Sequence, residues 1–331
     1  MFPCFLLTVA FGTFFTLSDQ TQTKFLADKR SIKNNRPVIG IVTQETNGKL
    51  LQFGSQYLVA VYVKFLESAG ARAAPIFVNS SMEEVERMFH SLNGVILPGG
   101  HVKLNQSGYT TVGKKLLDLA TKAYDQTGEV FPIWAECLGL ELLALLIGER
   151  DVSKGQYDES LFSLTDARNI SLRLELPSDY KSTKLLGSAP DYIINFITQQ
   201  DINYNNHFRG ITPETFNKDE KLKNFFQIVS INKDRKGKPF ISTMEARKYP
   251  FYLFQWHPAK PQFEWSRVKD IKHTQEAILA GQYWANFFVN QARLSSHQFP
   301  SIKEEKAALM YNYNPVYTGN LITMLQCYFW K

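Results

Sequence analysis

Apolar residues fall along this chain in short blocks, separated by longer stretches in which apolar and polar positions interleave. Val38-Ile39-Gly40-Ile41-Val42 is a continuous apolar run and predicts a buried strand. Gln56 to Ser68 places Tyr57, Val61 and Phe65 on one face and stops at Ala69-Gly70, which predicts a helix. Ala74 to Val78 is the next strand. Ser81 to Ser91 is a charged helix whose Ser81 and Glu84 fit a capping box. Gly94 to Leu97 reads as a strand that leads through Pro98 into a Gly99-Gly100 turn, and Tyr109 to Asp125 as a helix. Phe131-Pro132-Ile133-Trp134 is again strand-like. Leu140 to Ile147 is apolar and unbranched almost throughout and favours helix. Strand and helix alternating in this way predict an α/β fold with a three-layer, doubly wound, mostly parallel sheet. In such sheets ligands bind outside the carboxyl ends of the strands.

The second half is less regular. Val152 to Phe216 mixes short β-like runs with polar turns and is expected to wrap the sheet edge. Phe225 to Ile231, the basic turn 233–237 and Phe240 to Glu245 predict a β-hairpin. Phe251 to Trp256 is an apolar strand ending in His257-Pro258. Thr274 to Arg293 is a long helix whose Tyr283, Trp284, Phe287 and Phe288 point to a core. The tail from Phe299 is polar and then aromatic, and is expected to lie against the domain. No internal repeat is present.

Composition changes this picture little. The 331 residues are 44% hydrophobic, enough for one large core. No linker divides the middle, so residues 36–331 are expected to form one catalytic domain after a flexible segment over 19–35. The net charge of +6 comes without a Lys/Arg stripe or recognition motif, which argues against nucleic-acid binding. Met1 to Ser18 is apolar and uncharged and reads as a signal peptide, with Thr16-Leu17-Ser18 as the cleavage region. Nothing later is long and apolar enough for a membrane span. Sequons at Asn79, Asn105 and Asn169 permit glycosylation. Removing the signal removes Cys4 and leaves Cys137 and Cys327. That is no disulfide framework, and a lone thiol in a secreted chain is a candidate nucleophile.

Ala135-Glu136-Cys137-Leu138-Gly139 lies between a predicted strand and a predicted helix, with small residues two before and two after the cysteine. A sharp strand-to-helix turn needs them, and it exposes the residue at its apex. The helix N-terminus beneath favours a thiolate. A buried structural cysteine is the plainer alternative. A cysteine nucleophile needs a base. Of six histidines, His90, His273 and His297 are expected at the surface, and His101 follows Gly100 beside a pocket. His257 ends a buried strand at the edge where Cys137 projects; a histidine satisfied by backbone is its plainer alternative. Gly99-Gly100 offers backbone N–H groups that no Cβ shields, suited to an oxyanion. No cofactor is expected, and no His/Cys spacing suggests a metal site.

Phe254-Gln-Trp-His-Pro258, with Pro98-Gly-Gly100 and Cys137-Leu-Gly139, resembles the class I glutamine amidotransferase-like fold, a flavodoxin-like sheet with a nucleophile elbow. Tyr62-Val-Lys-Phe-Leu-Glu-Ser-Ala-Gly70, Ile241-Ser-Thr-Met-Glu245, Lys248-Tyr-Pro250 and Tyr317-Thr-Gly-Asn320 narrow the resemblance to the gamma-glutamyl hydrolases. It runs from about Arg36 to the C-terminus. The resemblance implies Cys137 as nucleophile and His257 as general base and acid, with an oxyanion hole from Gly99, Gly100 and Leu138. It implies substrate contacts from His207, the family's second active-site histidine, and from Glu141 and Tyr62. Folylpoly-γ-glutamate is the implied substrate, a homodimer the implied assembly, and lysosome or extracellular space the implied location.

Three residues depart from the family pattern. The glutamate of His-Pro-Glu, which orients the imidazole, is replaced by Ala259. The elbow has Ala135 where the family has Gly, and Glu136 where it has an uncharged residue. Losing the carboxylate at 259 is expected to loosen the histidine tautomer, with Glu264 as a substitute if its loop folds back. Glu136, if ionised, is expected to raise the thiol pKa. A working or weakened γ-glutamyl hydrolase therefore competes with a catalytically silent paralogue that binds folate polyglutamates or a protein partner. A glutaminase subunit is disfavoured by the signal peptide and by the absence of an attached synthase.

Overall fold

The computed structural model describes residues 31–105 and 107–331; the signal peptide expected over 1–18, Cys4 and most of the segment 19–35 lie outside them. Seven strands form the central sheet: β1 (Val38–Val42), β2 (Arg72–Ile76), β3 (Val95–Leu97), β4 (Ile133–Glu136), β5 (Phe226–Lys233), β6 (Pro239–Ala246) and β7 (Phe251–Phe254). Their order is β2-β1-β3-β4-β7-β6-β5. The first five run parallel, and the β5–β6 hairpin adds an antiparallel edge.

Period-two alternation along each strand feeds two cores, one per face. Val38, Val42, Ile133, Ala135, Phe251 and Leu253 pack on one side, under α2 (Met82–Ser91), α3 (Gly108–Thr127) and α4 (Leu138–Ile147). Ile39, Ile41, Trp134, Tyr252 and Phe254 pack on the other, under α1 (Ala60–Ser68) and α5 (Gln275–Ala292). This is the three-layer, doubly wound arrangement that the alternating pattern predicts. The cap expected at Ser81 holds, its Oγ accepting the Glu84 N–H, and Thr274 Oγ1 likewise accepts that of Ala277. Glu84 does not complete the capping box; its carboxylate binds Arg87.

Two expectations are corrected. Gln56–Val59 is a strand, and only Ala60–Ser68 is helix. Gln56–Val59 pairs with Gln44–Glu45 on one side and with the chain's last strand, Gln326–Trp330, on the other. Those ladders override the helical spacing of Tyr57, Val61 and Phe65. The tail thus contributes a strand to a second sheet. Residues 152–216 reach the sheet edge only in part, where Glu175 bridges Ile231 of the edge strand β5. Ser163–Leu172 and Asn203–Gly210 pair antiparallel and lie over the carboxyl ends of the central strands, where Tyr204 O accepts the His257 N–H at 2.8 Å. Sequence-local patterning carries no information about which part of a sheet such a hairpin covers.

Candidate active site

Strand β4 delivers Cys137 to the first turn of α4. The Cys137 amide donates to Phe254 O at the end of β7, and the residue takes φ 52°, ψ −102°, a conformation that costs a non-glycine residue energy and recurs at nucleophile turns. Gly139 permits this crossing, because a Cβ there would lie 2.3 Å from Leu97 O at the end of β3. The Cys137 side chain opens into a cavity of about 370 Å³ that His101, Glu141, Arg168, His207 and Arg209 also line.

His257 follows β7, whose Phe254 pairs with Glu136 of β4. That register places the imidazole beside both Glu136 and Cys137. Nδ1 lies 2.7 Å from Glu136 Oε1, with the carboxylate 0% and the histidine 3% exposed. Nε2 is buried and has no partner among the described residues. The three side chains of His257, Cys137 and Tyr62 converge on Gly99: a Cβ on that residue would lie 3.0 Å from His257 Cε1, 3.2 Å from Cys137 Cβ and 3.2 Å from Tyr62 Oη. Sγ of Cys137 is approached by the Gln255 amide at 4.0 Å, which also donates to Glu141 Oε1.

Burial, and then the Glu141 carboxylate, push the Cys137 thiol well above its ordinary range; Lys260 and the Leu138 N–H act in the opposite direction. Burial and the nearby Lys260 hold the His257 imidazole far below its usual value. Both shifts favour a neutral thiol beside a neutral imidazole. Burial raises Glu136 to about 7 against the Lys260 charge and the Tyr62 hydroxyl, which lower it. Glu141 is likewise raised by burial to about 7.

The expected oxyanion donors separate here. The Gly99 N–H donates to Tyr62 Oη at 2.9 Å and is not available to substrate. Gly100 has no such partner among the described residues, and the Leu138 N–H faces the sulfur. The glycine at 100 also has a packing reason, since a Cβ would meet Gln44 Oε1 at 1.7 Å. Gln44 in turn holds the Pro98 carbonyl.

Tyr62 does not face the cavity as a substrate contact would. It is buried behind His257, donates to Glu136 Oε1 at 2.9 Å, and so links that carboxylate to Gly99. Glu141 and His207 do line the cavity. Both His207 nitrogens are engaged, Nδ1 with Arg209 O and Nε2 with Asn205 Oδ1, and burial lowers its pKa to about 4. Glu264 does not fold back onto His257; its Oε1 accepts the Leu325 N–H. His90 is exposed as expected, whereas His297 and His273 are partly covered, with Nδ1 near Phe89 O and Pro261 O. Asn79 and Asn105 are exposed. Asn169 is exposed as well, but its Nδ2 donates to Val268 O and its Oδ1 accepts the Asp270 N–H.

Sequence reasoning missed Arg168 and Arg209. They stand on the two antiparallel strands that cover the site, and neither forms an ion pair among the described residues, although Arg209 lies within electrostatic reach of Glu141. Arg168 lies over the Phe208 ring and Arg209 over Tyr157. The absence of an acidic neighbour at helical or cross-strand spacing is the only sequence signal they carry.

Fold and site together define a class, that of a cysteine peptidase built on a doubly wound α/β sheet. Residues 37–259 match the Peptidase C26 family, and the chain belongs to it. It is 38% identical over 295 residues to a gamma-glutamyl hydrolase of Rattus norvegicus, covering 89% of this chain and 90% of that one. It is 40% identical to a gamma-glutamyl hydrolase of Bos taurus (88% and 89% covered) and 39% identical to gamma-glutamyl hydrolase B of Dictyostelium discoideum (86% and 80% covered).

Proposed function

We propose that this protein hydrolyses γ-glutamyl amide bonds of folylpoly-γ-glutamates, with Cys137 as nucleophile and His257 as general base and acid. The observation that supports it most is the placement of a strained Cys137 and a buried, unpaired His257 Nε2 around Gly99, beside a cavity that Cys137, Arg168 and Arg209 line. A polyglutamate chain is polyanionic, and Arg168 and Arg209 supply charge and forked donors for its carboxylates.

The chemistry follows from the neutral resting pair. As Sγ attacks the γ-amide carbonyl, Nε2 takes the thiol proton. The carbonyl oxygen gains charge against the Gly100 and Leu138 amides. Nε2 then returns the proton to the leaving nitrogen as the C–N bond breaks, releasing a glutamate-containing amine and leaving a γ-glutamyl thioester. Water, deprotonated by Nε2, attacks that thioester. The C–S bond breaks, the proton returns to sulfur, and a free γ-carboxyl departs.

The same reading includes secretion through a signal peptide over residues 1–18, a lysosomal or extracellular location, sugar on Asn79 or Asn105, and a homodimer. These rest on the family and on the sequence. Among the described residues no helix is long and apolar enough to cross a membrane.

The test is release of glutamate or polyglutamate from pteroyl-polyglutamate, followed by chromatography. Cys137→Ala is expected to abolish it with an unchanged melting temperature. Arg168→Ala is expected to raise KM by roughly tenfold, more at low salt than at high. Full turnover in a clean Cys137→Ala preparation would remove the thiol from the mechanism. A parent protein that binds the substrate without cleaving it would favour the silent, binding paralogue.

A further inference from the structure

Glu136 is the last residue of β4, and alternation along that strand decides where it points. Ala135 faces the α4 side, and Trp134 packs in the core on the opposite side. Glu136 shares Trp134's side, because residues two apart on a strand share a face. It therefore sits behind His257, away from the cavity, while the turn at Cys137 carries the thiol to the front. The imidazole turns Nδ1 toward the carboxylate, and its Cε1 and the Cys137 Cβ flank Gly99.

Among the described residues nothing else holds Nδ1. Ala259, two residues beyond the histidine, is fully buried and has only a methyl group. Glu264 is occupied with the Leu325 amide. The Ala259 N–H and the Trp134 indole lie close enough to Glu136 to lower its proton affinity, although Oε2 and the indole nitrogen reach no hydrogen bond. The Glu136 carboxylate thus occupies the space next to position 259. Its Oε1 accepts the Tyr62 hydroxyl and lies 2.7 Å from His257 Nδ1, and Tyr62 in turn accepts the Gly99 N–H. Carboxylate, imidazole and the strand end bearing the oxyanion turn are held by one buried chain of hydrogen bonds. Lys260 is also buried within electrostatic reach of Glu136 and His257, so an imidazolium without the carboxylate would face an uncompensated cation.

We propose that Glu136 is the positioning carboxylate of this active site: it fixes the Nδ1–H tautomer of His257 and stabilises the imidazolium that forms during attack, the task for which position 259 has no side chain in this chain. On this view Glu136 and Ala259 are one compensated change. A carboxylate has moved from the residue after the His-Pro pair to the residue before the nucleophile, and it reaches the same nitrogen from the neighbouring strand. The proposal rests on Cys137 and His257 being the reacting pair. It also removes the expectation that the loss at position 259 loosens the histidine tautomer: Ala259→Glu would place a second buried carboxylate against Glu136, and two like charges so close cannot both ionise.

The test uses the full chain and four variants, assayed on pteroyl-γ-glutamyl-γ-glutamate across pH. Glu136→Gln keeps the shape but lets an amide N–H donate to Nδ1, which selects the wrong tautomer. It is expected to lower kcat by roughly 10²–10⁴-fold with KM little changed, and to displace the pH profile. Glu136→Thr is expected to lower kcat as well, and Ala259→Glu alone to lower it rather than raise it. Glu136→Thr combined with Ala259→Glu is expected to recover activity to within about tenfold of the parent, which is 1.4 kcal/mol of transition-state stabilisation. A merely structural Glu136 would change melting temperature without changing the pH profile, and the double variant would not recover. Parental kcat and pH profile in Glu136→Gln, in a protein whose Cys137→Ala variant is dead, would overturn the proposal while leaving the proposed activity in place. If the parent shows no thiol-dependent hydrolysis, that reading fails instead. Nitrogen NMR of His257 then decides Glu136: a downfield Nδ1–H at neutral pH in the parent, lost in Glu136→Gln, upholds it, and a parent with the Nε2–H tautomer overturns it.

Discussion

At the residue scale, two carboxylates do different work because of where they are buried. Glu136 lies behind the imidazole and bonds to it. Glu141 stands on the first turn of α4 facing the cavity, and its charge raises the thiol pKa. Its own pKa is raised by burial from 4.5 to about 7. Between those values the folded protein holds a proton that the unfolded chain has released, so its contribution to stability is lost as pH rises through that window. His207 and His257, whose pKa values are lowered by burial, act in the opposite sense, so the parent's own pH curve mixes signs. The comparison with Glu141→Gln isolates the carboxylate. The variant is expected to gain melting temperature relative to the parent between pH 4.5 and 7.5, and its cysteine to alkylate faster at neutral pH. A melting-temperature difference that does not change with pH would show that Glu141 is not held protonated.

At the scale of elements, the elbow depends on how closely α4 crosses β3. Gly139 is the contact, and a methyl group there meets the Leu97 carbonyl within 2.3 Å. Leu97 leads directly into Pro98-Gly99-Gly100. Gly139→Ala is therefore expected to push the strand end and the oxyanion turn out of register with Cys137. We expect a stability loss of about 1–3 kcal/mol, the usual cost of overpacking, and a fall in kcat larger than unfolding explains. Thermal melts with kcat measured well below the transition separate the two effects. An unchanged kcat would mean that the turn tolerates the shift.

At the scale of the whole molecule, the last strand of the chain braces the site's back wall. Gln326–Trp330 pairs with Gln56–Val59, and that strand runs straight into α1, which carries Tyr62 to Glu136. Cys327 is fully buried in this ladder and is a packing residue. Ending the chain at Leu325 is expected to lower the melting temperature and to reduce kcat in the fraction that stays folded, because Tyr62 loses the strand that seats its helix. Equal kcat per folded molecule, judged by near-ultraviolet circular dichroism, would show that α1 is held by the core alone.

What the sequence determined by itself was whatever local spacing encodes. The apolar runs Val38–Val42 and Phe251–Phe254, the cap at Ser81, and the small residues flanking Cys137 each specify an element or a turn without reference to distant residues. Together they sufficed for the doubly wound sheet and for placing Cys137 and His257 at one edge of it. What required tertiary structure was every pairing between distant segments. The strand at Gln56–Val59 exists through ladders to residues far along the chain, and the hairpin that brings Arg168 and Arg209 over the cavity has no local signature of its position. Glu136 is the clearest case. Read beside Cys137 in sequence, it is a neighbouring charge that hinders a thiolate, and it does add to the rise of the thiol pKa, behind burial and Glu141. In the sheet, alternation turns it to the opposite face from Ala135, and the parallel register of β4 with β7 sets it against the nitrogen that Ala259 leaves without an acceptor.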